Sequence, residues 1–324
     1  MHKLNDVILA RCFAVFSLVV WHTACIYIGW GDRVSCPLDS LYQDIFGRLI
    51  PLANMPLFTF LAGYLFRYQI IGQKYSSGKL FIKSKIRRLL IPYFLLGTAV
   101  VFLQYGCIGQ FKEVLYGAPN HLWFCLMLFY CYMVCWFFES KSLQWVNIIL
   151  AALSLGIISR FNDWGVLYHA YHIPLGIEIA AYFFFFFFLG YICFDARKGL
   201  FGNWKAILVY MLIYVVVKDR IIRVVDYIFL IMTISSVLSP MLFKNNMLWA
   251  GVEKIAKCSF GIYVLHHTVL WNLVSYPSVS IITIPILEKH YIISPILLCI
   301  VVFVLCLFLT DVLLRSKTGR FLLG

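Results

Sequence analysis

The stretch VILARCFAVFSLVVWHTACIYIGW, residues 7–30, decides the fold class of this chain. It is almost wholly apolar, and its only basic residues are Arg11 and His22. A helix needs about 20 predominantly apolar residues to cross a hydrocarbon core of about 30 Å. The stretch is too long for the apolar region of a cleavable signal peptide and lacks a small-residue cleavage site. We therefore predict that it is a membrane-spanning helix.

Similar apolar runs recur along the whole chain, which is 63% apolar, 18% aromatic and only 13% charged. A soluble domain carries about 25% charged and about 45–50% apolar residues. No segment is polar enough to form a soluble domain, so we predict one all-α domain over residues 1–324, a bundle of about ten transmembrane helices. The predicted spans are 7–30, 46–66, 89–108, 121–138, 143–159, 174–194, 204–217, 224–243, 255–274 and 292–314.

The basic residues predict the orientation of this bundle. The net charge is +13, but Lys and Arg collect in alternate loops, which indicates membrane topology and not a nucleic-acid partner. With both termini cytoplasmic, 18 of the 27 Lys and Arg residues lie in inner segments and 8 in outer loops. An excess of basic residues marks the cytoplasmic side. We expect a multi-pass protein of the cell membrane, a bacterial inner membrane, with both termini inside.

The eleven cysteines do not indicate a metal or redox site, because no C-x-x-C pair occurs among them. Most lie within apolar runs, where cysteine acts as a small apolar packing residue. Cys36 and Cys107 lie near the same predicted face of the membrane and could pair. No metal is expected.

Arg11 and His22 are the first candidates for function, because ionisable side chains inside a span are costly unless they face a cavity or a partner. Eleven residues make about three helical turns, so both side chains project from one face, about 16 Å apart along the axis. His22 is a candidate base, since its pKa lies naturally near neutrality. The alternative is a structural histidine that hydrogen-bonds a neighbouring helix.

A basic cluster at the end of the inner loop 67–88 contains Lys85, Arg87 and Arg88. Lys85 and Arg88 are three residues apart and would share a face of a helix. Such cations suit a ligand rich in phosphate. The alternative is a charge cluster that only fixes the topology.

Six further polar or aromatic residues are candidates for binding substrate or supporting the site, each with a packing role as its alternative. Asn54 precedes the second span, His121 and Trp123 begin the fourth, Glu178 lies near the outer end of the sixth, and Tyr263 and His266 lie within the ninth. His267 follows directly and is open to the same two interpretations.

Together these motifs resemble acyltransferase family 3, membrane proteins that O-acylate carbohydrates. The motifs, in chain order, are Arg11-x10-His22, MPLFTFLAGY at 55–64, KIRRLLIPY at 85–93, HLWF at 121–124 and SFGIYVLH at 259–266. Each motif is weak alone, but five in this order on the expected spans are specific.

The chain departs from the family pattern at three points. Lys85-x-x-Arg88 replaces Arg-x-x-Arg, which retains both charges but loses one guanidinium. Asn54 stands where a His is common, and Trp123 is not followed by the family's Ser-Leu and Glu-Glu. The change after Trp123 places the chain nearer the short, fucose-acetylase-like branch, without a fused soluble esterase-like domain.

The resemblance implies acetyl-CoA as the cytoplasmic donor and an outer carbohydrate acceptor, free or lipid-linked. It implies that Lys85 and Arg88, with Arg87 or Arg11, bind the CoA phosphates, and that the pantetheine arm runs along the first span toward His22. His22 would act as a general base on a sugar hydroxyl, or carry the acetyl group as an acyl-imidazole. The residues leave both roles open.

The competing function is a transporter or flippase for a lipid-linked sugar. Transporters are often built from inverted repeats with interrupted helices, and the sequence indicates neither. A third interpretation is that the protein is a structural subunit of a glycan-synthesis complex. The sequence does not identify the sugar, its hydroxyl, the acyl group (acetyl or succinyl) or the oligomeric state.

Overall fold

The computed structural model describes residues 4–28, 34–35, 54–75, 77–105, 112–116, 120–161, 164–171 and 173–323. Every regular element in this part of the chain is helical, which confirms the predicted class. The α-helices, in chain order, are α1 Asn5–Cys25, α2 Asn54–Ile71, α3 Gly78–Lys85, α4 Ile91–Tyr105, α5 Lys112–Leu115, α6 Trp123–Ser140, α7 Gln144–Phe161, α8 Trp164–Tyr171, α9 Ile177–Phe201, α10 Lys205–Val216, α11 Arg220–Phe243, α12 Asn246–Ser275, α13 Pro277–Lys289, α14 Ser294–Leu313 and α15 Lys317–Leu323.

Each of the ten predicted spans coincides with a helix, although not every helix is long enough to cross a bilayer. Among the described residues six helices are long and apolar enough, or seven if the bent pair of α12 and α13 is counted as one span. The predicted span 204–217 is the 12-residue helix α10, the shortest of the ten. The count of ten spans is therefore approximate. Residues 29–30 and 46–53 of the first two predicted spans, with Cys36 and Cys107, lie outside the described residues.

The contacts divide the chain into two compact units. The first unit comprises Met1–Leu4 and Met55–Val237, and the second comprises Asn5–Asn54 and Leu238–Gly324. Nothing in this division tests whether the chain is one domain, so the single domain over 1–324 stays a prediction.

The second unit is built around three helices, α1, α12 and α14, which pack against one another. Helix α12 ends at Ser275, and α13 begins at Pro277 after a bend of 85°. A residue before proline is disfavoured from the helical region, and Tyr276 is accordingly extended, with φ −73° and ψ 119°. The helix thus ends within one residue of the predicted end of the ninth span, 255–274, and the helix α13 that follows it was not predicted.

In the first unit, α9 packs against α6 and α7 through its phenylalanine run, residues 183–188. All of the six except Phe185 are buried, so the run faces neighbouring helices instead of lipid. The rings of Trp123 and Phe183 stack at a centroid distance of 5.4 Å.

Helices α2 and α9 cross at Gly63 and Gly190. A Cβ at Gly63 would collide with the carbonyl of Phe187, and a Cβ at Gly190 would collide with the carbonyl of Phe60. Small residues let two membrane helices bring their backbones into contact in this way. The crossing fixes the relative position of the second and sixth predicted spans.

Gly190→Ala is therefore expected to destabilise the protein by about 1–3 kcal/mol, the usual cost of overpacking a filled contact. The measurement is thermal unfolding of the purified protein in detergent. Gly199→Ala is the matched control, because it lies on the same helix and its Cβ would meet nothing within 4 Å. Equal melting temperatures for Gly190→Ala and Gly199→Ala would contradict the close crossing.

The basic segment begins with the short helix α3, which Ser77 caps by accepting a hydrogen bond from the amide of Leu80. Residues Ile86–Leu90 then form a π-helical turn that leads into α4. Because a π-helical turn holds more residues than an α-helical one, it rotates Arg88 away from Lys85. Lys85 is consequently buried and Arg88 exposed, whereas the sequence predicted that they share a face.

Candidate active site

Arg11 and His22 both face α12 in the second unit, as their shared face predicts. The Arg11 Nη2 donates a hydrogen bond of 2.7 Å to the hydroxyl of Ser259. That hydroxyl in turn donates to the carbonyl of Ala256, 2.9 Å away. The guanidinium thus has a polar partner on the neighbouring helix, which is the condition for tolerating a cation inside a span.

His22 lies in a cluster of three buried histidines, with His266 and His267 of α12. The Nε2 of His266 lies 3.3 Å from the Nδ1 of His22, and the two rings meet edge to face with centroids 4.7 Å apart. The ring of His267 lies 6.0 Å from that of His22 and stacks on Trp271. The sequence analysis named His266 as a supporting residue and left His267 open to the same interpretations, but it did not single out Trp271.

The hydrogen bonds determine which ring nitrogen carries each proton. The Nδ1 of His266 lies 2.7 Å from the carbonyl oxygen of Tyr263, and a carbonyl can only accept. His266 Nδ1 therefore donates, and in a neutral ring its Nε2 is an acceptor. The Nδ1 of His22 lies 3.0 Å from the carbonyl oxygen of Leu18 and faces that acceptor, so it also carries a proton. The lone pair of a neutral His22 is then at Nε2.

Asn54 and Tyr263 also lie in the second unit. The Ser17 hydroxyl donates to the Asn54 Oδ1 over 2.7 Å, and the Asn54 Nδ2 donates to the Ser17 carbonyl over 3.3 Å. This reciprocal pair attaches Asn54 to α1 at Ser17, one to two turns before His22. The ring centroid of Tyr263 lies 6.2 Å from that of His266. Arg11, Asn54, Tyr263 and His266 thus belong to the same unit as His22, and among these four His266 is the residue whose contact with the His22 ring is observed.

The cations Lys85, Arg87 and Arg88 lie in the first unit. Lys85 is 6% exposed, and its Nζ lies 3.4 Å from the ring centroid of Tyr132. Within the described part of the chain it has no ion pair with a carboxylate. Burial, with the positive charges of Arg88 and Lys74, holds the pKa of Lys85 well below its usual range. An anionic ligand bound beside Lys85 would offset both the burial and the repulsion from Arg88 and Lys74, since an opposite charge favours the protonated form of the amine.

His121, Trp123 and Glu178 are buried in the first unit. His121 belongs to a 3₁₀ turn, Asn120–Leu122, directly before α6. The carboxylate of Glu178 acts electrostatically on the hydroxyl of Tyr130. These residues line the packed ends of α6 and α9, where each is compatible with a packing role or with a contact to substrate.

Two acidic features were not singled out from the sequence. Asp226 is a buried carboxylate within α11, and its Oδ2 has no hydrogen-bond partner among the residues that the structure describes. Arg67 forms ion pairs with Asp195 at 2.9 Å and with Glu139 at 3.5 Å. A carboxylate within a predicted span was the available signal for Asp226, but Glu139 and Asp195 follow spans and give no such signal. Asp311 and Arg315, four residues apart on the sequence, form a local ion pair at 3.2 Å.

Comparison with known proteins gives one match. A family model with the description "Acyltransferase domain" matches residues 4–315, nearly the whole chain. No curated protein and no solved structure matches the chain.

Proposed function

The chain belongs to acyltransferase family 3, and from this membership we propose that it is a membrane O-acetyltransferase that moves an acetyl group from cytoplasmic acetyl-CoA to a carbohydrate hydroxyl. The acceptor is a cell-surface or lipid-linked glycan, such as O-antigen, capsule or exopolysaccharide. The protein lies in the cell membrane, a bacterial inner membrane, with both termini cytoplasmic. It requires no metal and binds no nucleic acid.

The observation that supports this proposal most directly is the hydrogen-bond chain from the Tyr263 carbonyl through His266 to His22. In the proposed reaction the His22 Nε2 removes the proton from the acceptor hydroxyl as its oxygen attacks the thioester carbonyl. The carbon–sulfur bond then breaks, and the CoA thiolate leaves with a proton returned from the imidazolium. General-base catalysis of this kind needs a neutral imidazole with a defined tautomer.

The proposal assigns binding roles to residues of both units. In the first unit, Lys85, Arg87 and Arg88 bind the phosphates of acetyl-CoA, and in the second Arg11 supplies a further cation. Charge-assisted hydrogen bonds from Lys and Arg to phosphate are among the strongest that proteins make. Asn54, His121, Trp123, Glu178 and Tyr263 bind the acceptor or support the catalytic residues.

The proposal is tested by comparing the surface glycans of cells with and without this chain by mass spectrometry. The glycan from cells that contain the protein should be heavier by the mass of one acetyl group per modified unit. Mild alkali, which hydrolyses esters, should remove the difference. Identical glycan masses would count against the proposed function.

A transporter of a lipid-linked glycan is the second candidate, because the 85° break between α12 and α13 is a feature of transporters. Its test is the movement of a labelled lipid-linked glycan across vesicles that contain the purified protein and no acetyl-CoA. Movement at rates above those of empty vesicles would favour transport over acetylation.

His266 is a positioning residue in this proposal, and its replacement is expected to affect turnover more than substrate affinity. His266→Ala leaves the His22 Nδ1 proton with the Leu18 carbonyl alone and removes the ring contact that orients His22, so kcat should fall about tenfold, equivalent to about 1.4 kcal/mol for one lost hydrogen bond. KM for acetyl-CoA should stay within about twofold. The amide oxygen of His266→Gln can accept the same proton and should restore part of kcat. Equal losses of kcat in both variants would indicate that His266 only packs.

A further inference from the structure

A cavity of about 490 Å³ lies within the first unit, among the ends of α2 and α6 and the start of the basic segment. Four aromatic side chains, Phe66, Tyr75, Phe81 and Trp136, line it together with the polar side chains of Gln69 and Glu139. A cavity with both aromatic and polar walls differs from the apolar grooves that lipid chains occupy. Its contents should therefore be a ligand with a flat ring and hydrogen-bonding edges.

The aromatic residues form one connected cluster around Phe81. The rings of Phe81 and Trp136 stack, with centroids 5.3 Å apart and planes 25° from parallel. Phe66 lies 5.5 Å and Tyr75 lies 5.2 Å from Phe81, measured between centroids. Because these rings support one another, a planar base can stack on the cluster without first ordering its walls.

The polar walls present one acceptor and one donor. The Glu139 Oε1 accepts from the Gln144 Nε2 at 3.1 Å, whereas the Glu139 Oε2 is buried and has no hydrogen-bond partner among the described residues. The Tyr75 hydroxyl donates to the Gln69 Oε1 over 3.3 Å, so the Gln69 Nε2 still has protons to donate. Adenine offers the complementary groups, an exocyclic amino donor beside ring-nitrogen acceptors.

Cations lie beside the rings of the cavity. The Lys85 Nζ is 5.4 Å from the centroid of Phe81, and the Lys74 Nζ is 5.7 Å from that of Tyr75. Arg88 acts electrostatically on both lysines. A site for a flat ring and a site for phosphate therefore adjoin each other within one unit.

We propose that this cavity binds the adenine of the acyl donor, stacked on the Trp136–Phe81 cluster with its amino group toward Glu139 and its phosphates toward Lys74, Lys85 and Arg88. The proposal rests on the proposed function, because it places the nucleotide end of acetyl-CoA. It also predicts which base the cavity prefers, because guanine would place its carbonyl oxygen against the Glu139 carboxylate and both groups are hydrogen-bond acceptors. The cavity should therefore select adenine over guanine.

The test uses adenosine 3′,5′-bisphosphate, which carries the ring and phosphates but neither the pantetheine arm nor a thioester. Its binding to the purified full-length protein is measured calorimetrically beside that of guanosine 3′,5′-bisphosphate. We expect the adenosine compound to bind at least about tenfold more tightly. Trp136→Leu should weaken its binding at least about tenfold, whereas Phe137→Leu, the half-exposed neighbour on the same helix, should not.

Glu139→Gln provides the second variant, in case loss of Trp136 prevents folding. An amide can donate to the guanine carbonyl oxygen, so this variant should reduce the preference for adenine to about twofold or less. Equal binding of the two bisphosphates to the wild type would overturn the adenine site even if acetyl-CoA is consumed normally. Adenine-selective binding by a protein that never consumes acetyl-CoA would support the cavity and refute the proposed function.

Discussion

Replacement of His22 by alanine is expected to lower the kcat of acetyl transfer by a factor of about 10²–10⁴, the usual contribution of a general base. The expectation follows from the hydrogen bonds of the cluster, which put the His22 proton on Nδ1 and its lone pair on Nε2. His266 is held by its Nδ1 hydrogen bond to the Tyr263 carbonyl, and its Nε2 is directed at His22 in the wild-type protein. The measurement is steady-state acetyl transfer by purified protein with membrane insertion verified.

His169→Ala is the control for this variant, since His169 is an exposed histidine on α8 of the other unit. It should transfer acetyl at the wild-type rate. Normal rates in a correctly inserted His22→Ala protein would show that the base is another group, and the role of the histidine cluster would then be structural.

Replacement of Lys85 or Arg88 by glutamine should raise KM for acetyl-CoA about ten- to a hundredfold each, while kcat changes little. A charge-assisted hydrogen bond to phosphate contributes about 1.5–3 kcal/mol, and each 1.4 kcal/mol is about a factor of ten. Lys85 should have the larger effect, because it is buried and has no carboxylate paired with it in the described structure. The measurement is the dependence of the transfer rate on acetyl-CoA concentration.

Lys83→Gln is the matched control, because Lys83 is an exposed lysine of the same helix. If Lys83→Gln raised KM as much as Lys85→Gln, the segment would act only through its overall charge. An unchanged KM in Lys85→Gln and Arg88→Gln would mean that the cluster serves membrane topology alone.

The apolar runs predict most of the fold, because a spanning helix needs length and hydrophobicity, both of which are visible in sequence. Helix α13, which follows Tyr276, was not predicted for a physical reason. The segment PSVSIITIPILEK, residues 277–289, contains two prolines and reads as a loop. Proline is nevertheless tolerated at the first position of a helix, and the segment forms α13.

The site was predictable where one helix determines the geometry and not where several do. Arg11 and His22 share a face of α1 by spacing alone, and both contact α12. The burial of Lys85 depends on Phe81 and Tyr132. Gln144 and Arg67 both contact the Oε1 of Glu139, which leaves its Oε2 without a hydrogen-bond partner among the described residues. Such contacts between separate helices leave no periodic pattern in the sequence.

The most direct test of the central claim is to reconstitute the purified wild-type protein in vesicles with the acceptor glycan and with acetyl-CoA labelled in its acetyl group. The account predicts alkali-labile label on the glycan at a rate that depends on His22. Labelled acetyl-CoA that remains unconsumed, while the glycan stays unlabelled or crosses the vesicle membrane unmodified, would contradict it.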